Sequence, residues 1–252
     1  MGKRMQKNAK TKSIKQKNKT NYNAHYFQER DLLDVHLAET IRLYLQKHNA
    51  QKVLDVGCGS GRLIAYLRRH KYTTFGVDSA PEAVTMARRY NPRHSIHLAS
   101  GLKLPFKKNS MDAVLAISVI EHIDKNKTQA FLKEIKRVLT PHGVVFLVTP
   151  NYAAPWRMLQ GKHWFGYSDP THVVFFTPWS LAGKLRNSGF NDVRFWFKTM
   201  YNPPYQWELP GIFSRLPNVL KIIVTYLLIS TPVCFIRNSF WIAAQVHPKS
   251  KQ

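Results

Sequence analysis

Apolar and polar positions along this chain alternate between two periods. "RDLLDVHLAETIRLYLQKH" (30–48) spaces its apolar residues as one face of a helix. "KVLDVG" (52–57) is a short apolar run ending at a glycine, which predicts a strand, and "RLIAYLRRH" (62–70) predicts the helix after it. "TTFGVD" is a second strand and "PEAVTMARRY" a helix that opens on proline, with Ser79 expected as its N-cap. "HSIHLA" predicts a short third strand. "MDAVLAISVI" is nearly all apolar, as in a strand buried on both faces. "KTQAFLKEIKRVLT" predicts a helix stopped by Pro141 and Gly143, and "GVVFLVTP" a fifth strand. Alternation of this kind implies an α/β fold with a parallel sheet covered by helices on both sides.

Two stretches break the pattern. Residues 1–20 carry eight basic residues, no acid and almost no large apolar group, and account for much of the net charge of +24. Such a segment cannot bury enough surface to offset its ordering entropy, so 1–24 is expected to be a disordered basic tail. With no apolar stretch behind the charges, it is not a secretory signal. The second stretch, "LPNVLKIIVTYLLISTPVCFIRNSFW" (216–241), is apolar nearly all round but too short to span a bilayer and broken by Pro232. The two cysteines, Cys58 and Cys234, make no disulfide framework and exclude a four-cysteine metal or iron–sulfur site.

The candidate chemistry begins at "VLDVGCGSGR" (53–62). Asp55, Gly57, Gly59 and Gly61 form D-x-G-x-G-x-G between a strand and a helix, where a ligand can approach main-chain N–H groups. Arg62 stands where a dinucleotide motif requires its last glycine, and no Lys-Ser/Thr pair completes a phosphate-binding loop. Asp78, at the tip of the second strand, can accept both hydroxyls of a ribose.

From Val53 to about Tyr152 the chain resembles the class I S-adenosylmethionine-dependent methyltransferases, in particular the type 11 branch. The resemblance lies in "VLDVGCGSGRLIAYL", "FGVDSA", "LKLPFKKNSMDAVLAISVIEHI" and "FLKEIKRVLTPHGVVFLVTPN", and extends through "DPTHVVFFTPWSLAGKLRNSGF" and "SFWIAAQVH". It implies a Rossmann-like, doubly wound, mostly parallel seven-stranded sheet whose last strand is antiparallel, in a domain spanning 25–248. It implies S-adenosyl-L-methionine as cofactor. The backbone from Gly57 through Cys58 and Gly59 to Gly61 would cradle the methionine part, with Asp55 as orienting acid. Asp78 would hold the ribose, Ser79 would lie beside the adenine, and Ser100, Gly101 and Leu102 would wrap its edge. Ser118 to His122 would floor the site near the transferable methyl. Ser100 stands where the family often has Asp, which removes a charged contact to the adenine amine and implies weaker cofactor binding.

Methyl transfer from a sulfonium needs alignment more than activation, and a base only where the acceptor must lose a proton. His172 and His122 are the candidates for that role. In related quinone O-methyltransferases an E-x-x-E-H run can bind a divalent metal; Ser118 replaces its first Glu here, so no metal is expected. Glu121 is expected to cap or pair with a nearby helix. Aromatic residues crowd 151–179, suggesting a lid over the carboxyl ends of the strands, and continue at Tyr201, Tyr205, Trp207 and Phe213. Residues 200–237 read as a hydrophobic insertion between the last two strands. That insertion (212–237) and the basic tail (1–20) together suggest attachment to an anionic membrane surface, where each Lys or Arg contributes about 1 kcal/mol. The expected acceptor is a small or lipid-linked molecule, most simply methylated on oxygen, in a cytoplasmic protein peripheral to the inner face of the membrane. RNA is the rival acceptor, favoured by charge but unsupported by any RNA-binding module; a non-catalytic cofactor-binding scaffold is a third reading.

Overall fold

The computed structural model describes residues 31–196, 215–221, 223–224 and 238–246. The basic tail, Cys234, the aromatic residues at 201–213 and most of the 200–237 insertion lie outside the described residues. Seven strands form one sheet in the order β3-β2-β1-β4-β5-β7-β6: β1 (Lys52–Val56), β2 (Thr73–Asp78), β3 (Ile96–Leu98), β4 (Met111–Ile117), β5 (Leu139–Pro150), β6 (Asn191–Trp196) and β7 (Ser239–Gln245). Only β7 is antiparallel to its neighbours, β5 and β6; the other pairings are parallel. The helices are α1 (Val35–Lys47), α2 (Arg62–Arg69), α3 (Pro81–Tyr90), α4 (Thr128–Val138), α5 (Pro155–Gln160), α6 (Phe165–Ser168) and α7 (Pro178–Asn187).

The strands' side-chain period of two sorts the core into halves. Leu54, Val56, Val114, Ala116, Val145, Leu147, Ile242 and Ala244 pack on one face with Phe131, Ile135, Leu181 and Leu185 from α4 and α7. Val53, Ala113, Leu115, Phe146 and Trp241 face the other way, against Ile41, Tyr44 and Leu45 of α1 and Leu67 of α2. β4 is apolar throughout its middle because both of its faces are covered.

Two local expectations change. β5 begins at Leu139, directly after α4, because Leu139 already pairs with Met111 across a register shift in β4. α3 is capped by Ala80 rather than Ser79, and the carboxylate of Asp78 accepts the Ala80 N–H at 2.9 Å in place of a capping hydroxyl. The order of the strands reverses between β1 and β4, so a crevice opens beyond their carboxyl ends.

Candidate active site

That crevice is a cavity of about 940 Å³. Its wall includes Gly57, Gly59, Asp78, Ser79, Ser100, Gly101, Ser118, His122 and His172. Asp55, Cys58, Gly61 and Leu102 lie behind that wall.

The three glycines of the turn do different things. All hold positive φ: 76° at Gly57, 51° at Gly59 and 74° at Gly61. A Cβ on Gly57 would meet Val119 at 2.4 Å, and one on Gly61 would meet Asn91 at 2.6 Å and Ala87 at 2.8 Å. Those two glycines let other parts of the fold come close. A Cβ on Gly59 would meet no atom within 4 Å, so this position looks into the open cavity. The N–H groups of Gly57 and Cys58 both donate to the Val77 carbonyl (2.7 and 3.0 Å), and that of Gly61 to Cys58 O (2.8 Å). The turn therefore supplies room more than free donors.

Gly59 N–H donates to Asp78 Oδ2 at 3.0 Å. With Ala80 on Oδ1, each carboxylate oxygen of Asp78 has one backbone partner and keeps a lone pair that a ribose hydroxyl can use. Burial raises the Asp78 pKa, and the N–H groups of Ala80, Gly59 and Ser79 oppose the shift. Asp55 is buried beneath, its Oδ1 without a partner, and burial, reinforced by the Asp78 charge, pushes its pKa up to about 8. Cys58 packs with Ile64, Val84 and Ile96, and burial raises its thiol well above the ordinary value. Ser100 turns its hydroxyl inward to accept the Leu102 N–H at 3.2 Å. Arg62, which excluded a dinucleotide motif, holds Asp31 through Nε and Nη2 at 2.6 and 3.0 Å and ties the segment before α1 to α2.

At the other end of the cavity β4 stops at Ser118, whose left-handed backbone (φ 53°) turns the chain into a single 3₁₀ turn carrying Glu121 and His122. The Glu121 carbonyl accepts the N–H groups of Val173 and Val174 at 2.9 and 3.1 Å, which pins the loop between α6 and α7 against this turn. The Glu121 side chain neither caps nor pairs with a helix, contrary to expectation: it is buried, with Oε2 accepting from Thr149 Oγ1 at 3.0 Å and Oε1 without a partner. Burial pushes its pKa up to about 8, with Thr149 opposing and the Asp169 charge adding. The His122 ring lies 4.8 Å from that of His172. His122 Nδ1 lies 2.9 Å from Thr171 Oγ1, and that hydroxyl donates to Asp169 Oδ1. His172 Nδ1 lies 2.7 Å from the Gly166 carbonyl. Glu121, His122 and His172 each bring a ligand-type atom within 4.8 Å of the other two.

Above them Trp164 is fully buried among Tyr152, Phe165, Tyr167 and Phe175, with ring separations of 5.0–6.3 Å. Its indole N–H donates to Asn238 Oδ1 at 3.2 Å, at the start of β7. Phe165, Ser168, Asp169 and Thr171 from this layer reach the cavity wall. Thr171 and Asp169 were not among the residues picked from sequence, although the run "DPTH" contains them beside His172.

Residues 54–147, which contain the glycine turn, Asp78 and the turn after β4, match the family described as a methyltransferase domain. The chain carries a class I methyltransferase domain. The cofactor of this class is S-adenosylmethionine, and the residues present fit it: an open glycine position beside a carboxylate with spare acceptor capacity. The domain is 31% identical over 155 residues to a ubiquinone biosynthesis O-methyltransferase of Xanthomonas axonopodis pv. citri, covering 55% of this chain and 62% of that one. It is 30% identical over 145 residues to the probable tRNA methyltransferase 9B of Mus musculus, covering 56% of this chain and 29% of that one. The chain thus spans under two thirds of the length of these curated relatives. Among solved structures, the putative methyltransferase in complex with the Haloferax volcanii Trm112 activator has the same fold, with a TM-score of 0.62 at 18% identity, over 89% of this chain and 96% of that chain.

Proposed function

We propose that the domain transfers the methyl group of S-adenosylmethionine to an oxygen of a small or lipid-linked acceptor. The observation that carries this reading is one continuous cavity, with Gly59 and Asp78 at one end and His122 and His172 at the other. When bound, the nucleoside supplies an electrophilic methyl on a sulfonium that departs as a neutral thioether. The chain's own part is to hold that nucleoside by its ribose at Asp78 and to leave Gly59 open beside it. It also shields the acceptor from water beneath Phe165 and the aromatic layer. An oxygen acceptor forms its bond to carbon as the carbon–sulfur bond gives its electron pair to sulfur. The acceptor's proton must leave toward the only titratable side chains at that end, those of Glu121, His122, Asp169 and His172, among the described residues.

The named relatives support two acceptor classes, a quinone precursor and tRNA. The enclosed acceptor end favours the small molecule, because a nucleotide within a polymer needs a groove open on both sides. The net charge of +24 favours RNA, which stands as the second reading. Membrane attachment through 1–20 and 212–237 belongs with the lipid-linked acceptor. Among the described residues no helix is long and apolar enough to cross a membrane. Incubation of the full chain with methyl-labelled cofactor and separated lipid, small-molecule and RNA fractions tests the reading. Label in a lipid or small-molecule product is expected; label confined to RNA would replace it with the second reading. Flotation with anionic liposomes tests the membrane surface, and equal flotation after deletion of 212–237 would remove that segment from the account.

A further inference from the structure

The sequence suggested no metal because Ser118 stands where a first glutamate would be. The fold, however, brings a different third donor to Glu121 and His122 from a loop fifty residues away. We propose that Glu121, His122 and His172 hold a divalent transition-metal ion between the end of β4 and the lid loop, with coordination positions open toward the cavity.

The argument rests on which groups face one another. Thr171 Oγ1 donates to Asp169, so it accepts from His122 Nδ1, and the Thr171 carbonyl at 3.2 Å also requires a proton on that nitrogen. The Gly166 carbonyl requires the same of His172 Nδ1. Both rings are thereby set in the tautomer whose Nε2 carries a lone pair. Beside them lies Glu121 Oε1, a carboxylate oxygen with no partner, on a residue only 1% exposed. Ring packing accounts for the two histidines but leaves that oxygen unexplained. Acceptors converge on one point, and a single cation satisfies all three.

Size and chemistry agree. Three atoms no more than 4.8 Å apart need move inward by no more than about 0.7 Å each to reach the roughly 2.1 Å at which such ions bind nitrogen and oxygen. Two imidazoles and one carboxylate suit zinc, iron, cobalt or nickel and leave further positions for water or a substrate oxygen. The hydrogen bonds from Nδ1 to Gly166 and, through Thr171, to Asp169 are the outer partners that orient ligating histidines. The ion would fasten the loop bearing His172 over the cavity and would bind an acceptor oxygen, lowering the cost of removing its proton. In this account the histidines are ligands rather than separate bases.

This deepens the methyl-transfer reading only at the acceptor end, and it is tested without nucleoside or acceptor, so its failure leaves that reading standing. The full chain is stripped with chelator and titrated with Co²⁺, followed by visible absorption, and with Zn²⁺, followed by calorimetry. One equivalent is expected, with Co²⁺ ligand-field bands. His172→Ala and Glu121→Gln should each weaken binding at least tenfold and abolish the bands, with far-UV dichroism unchanged. Should His172→Ala not fold, Thr171→Ala decides, since it keeps all three ligands and should still weaken binding about tenfold. Absence of the bands in wild type, or equal affinity in wild type and these variants, would assign any bound ion to surface histidines and overturn the proposal.

Discussion

Gly57, Gly59 and Asp78 lie within one strand–turn–helix–strand stretch, whereas the opposite end of the cavity is assembled from Glu121 and His122 on one side and Thr171 and His172 on the other. The nucleoside end is held by backbone: Val77 O, Gly59 N–H and Ala80 N–H fix the turn and the carboxylate before any ligand arrives. The acceptor end is held by side chains and by a loop hung on the Glu121 carbonyl. Backbone geometry ties the first end to the fold itself. A loop and a few side chains leave the second free to change its chemistry while the nucleoside end stays the same.

Substitutions should separate the two ends. The largest effect is expected from Gly57→Ala. Positive φ and the clash with Val119 should cost about 2–4 kcal/mol in denaturant melts and abolish nucleoside binding. At the other end, His172→Ala should lower turnover about 100-fold or more while the nucleoside Kd stays within twofold of wild type. A matching loss of nucleoside affinity would show that the two ends are not separable. Asp78→Asn keeps an acceptor but loses the charge, and calorimetry should show nucleoside affinity down about tenfold.

Asp55 gives a pH signature of the nucleoside end alone. Its folded pKa of about 8 lies above the ordinary carboxyl value of 3.8, so the folded state favours the protonated form. The associated stability is fully present below about pH 4 and is lost as pH rises through 8. Thermal melts of the ligand-free chain should therefore fall between pH 5 and 8, and Asp55→Asn should flatten that fall, a difference of about 1–2 kcal/mol at pH 8. Parallel pH profiles for the two proteins would refute it. The smallest effect is reserved for Ser100→Asp, which should tighten nucleoside binding only a few-fold, because the present hydroxyl is already engaged by Leu102.

The same contrast decides what was legible in the sequence. The sheet, its helices and the nucleoside end could be read because each signal is local: an apolar run, three glycines, an acid at a strand tip. Even there, donors were expected along the whole turn, whereas the N–H groups of residues 57, 58, 59 and 61 are spent on the protein itself. The use of each glycine was hidden too, since Val119, Ala87 and Asn91 approach from distant parts of the chain. At the acceptor end the decisive contacts join residues about fifty positions apart. No spacing rule could pair His122 with Thr171, or show that Glu121 turns inward to Thr149 instead of capping a helix.

The central claim is that a glycine-lined pocket with a buried carboxylate holds S-adenosylmethionine. Calorimetric titration of the folded wild-type chain with that nucleoside addresses it most directly. The account predicts one site per chain, weakened in Asp78→Asn and lost in Gly57→Ala. A folded wild-type protein that gives no binding heat and retains no nucleoside would contradict it.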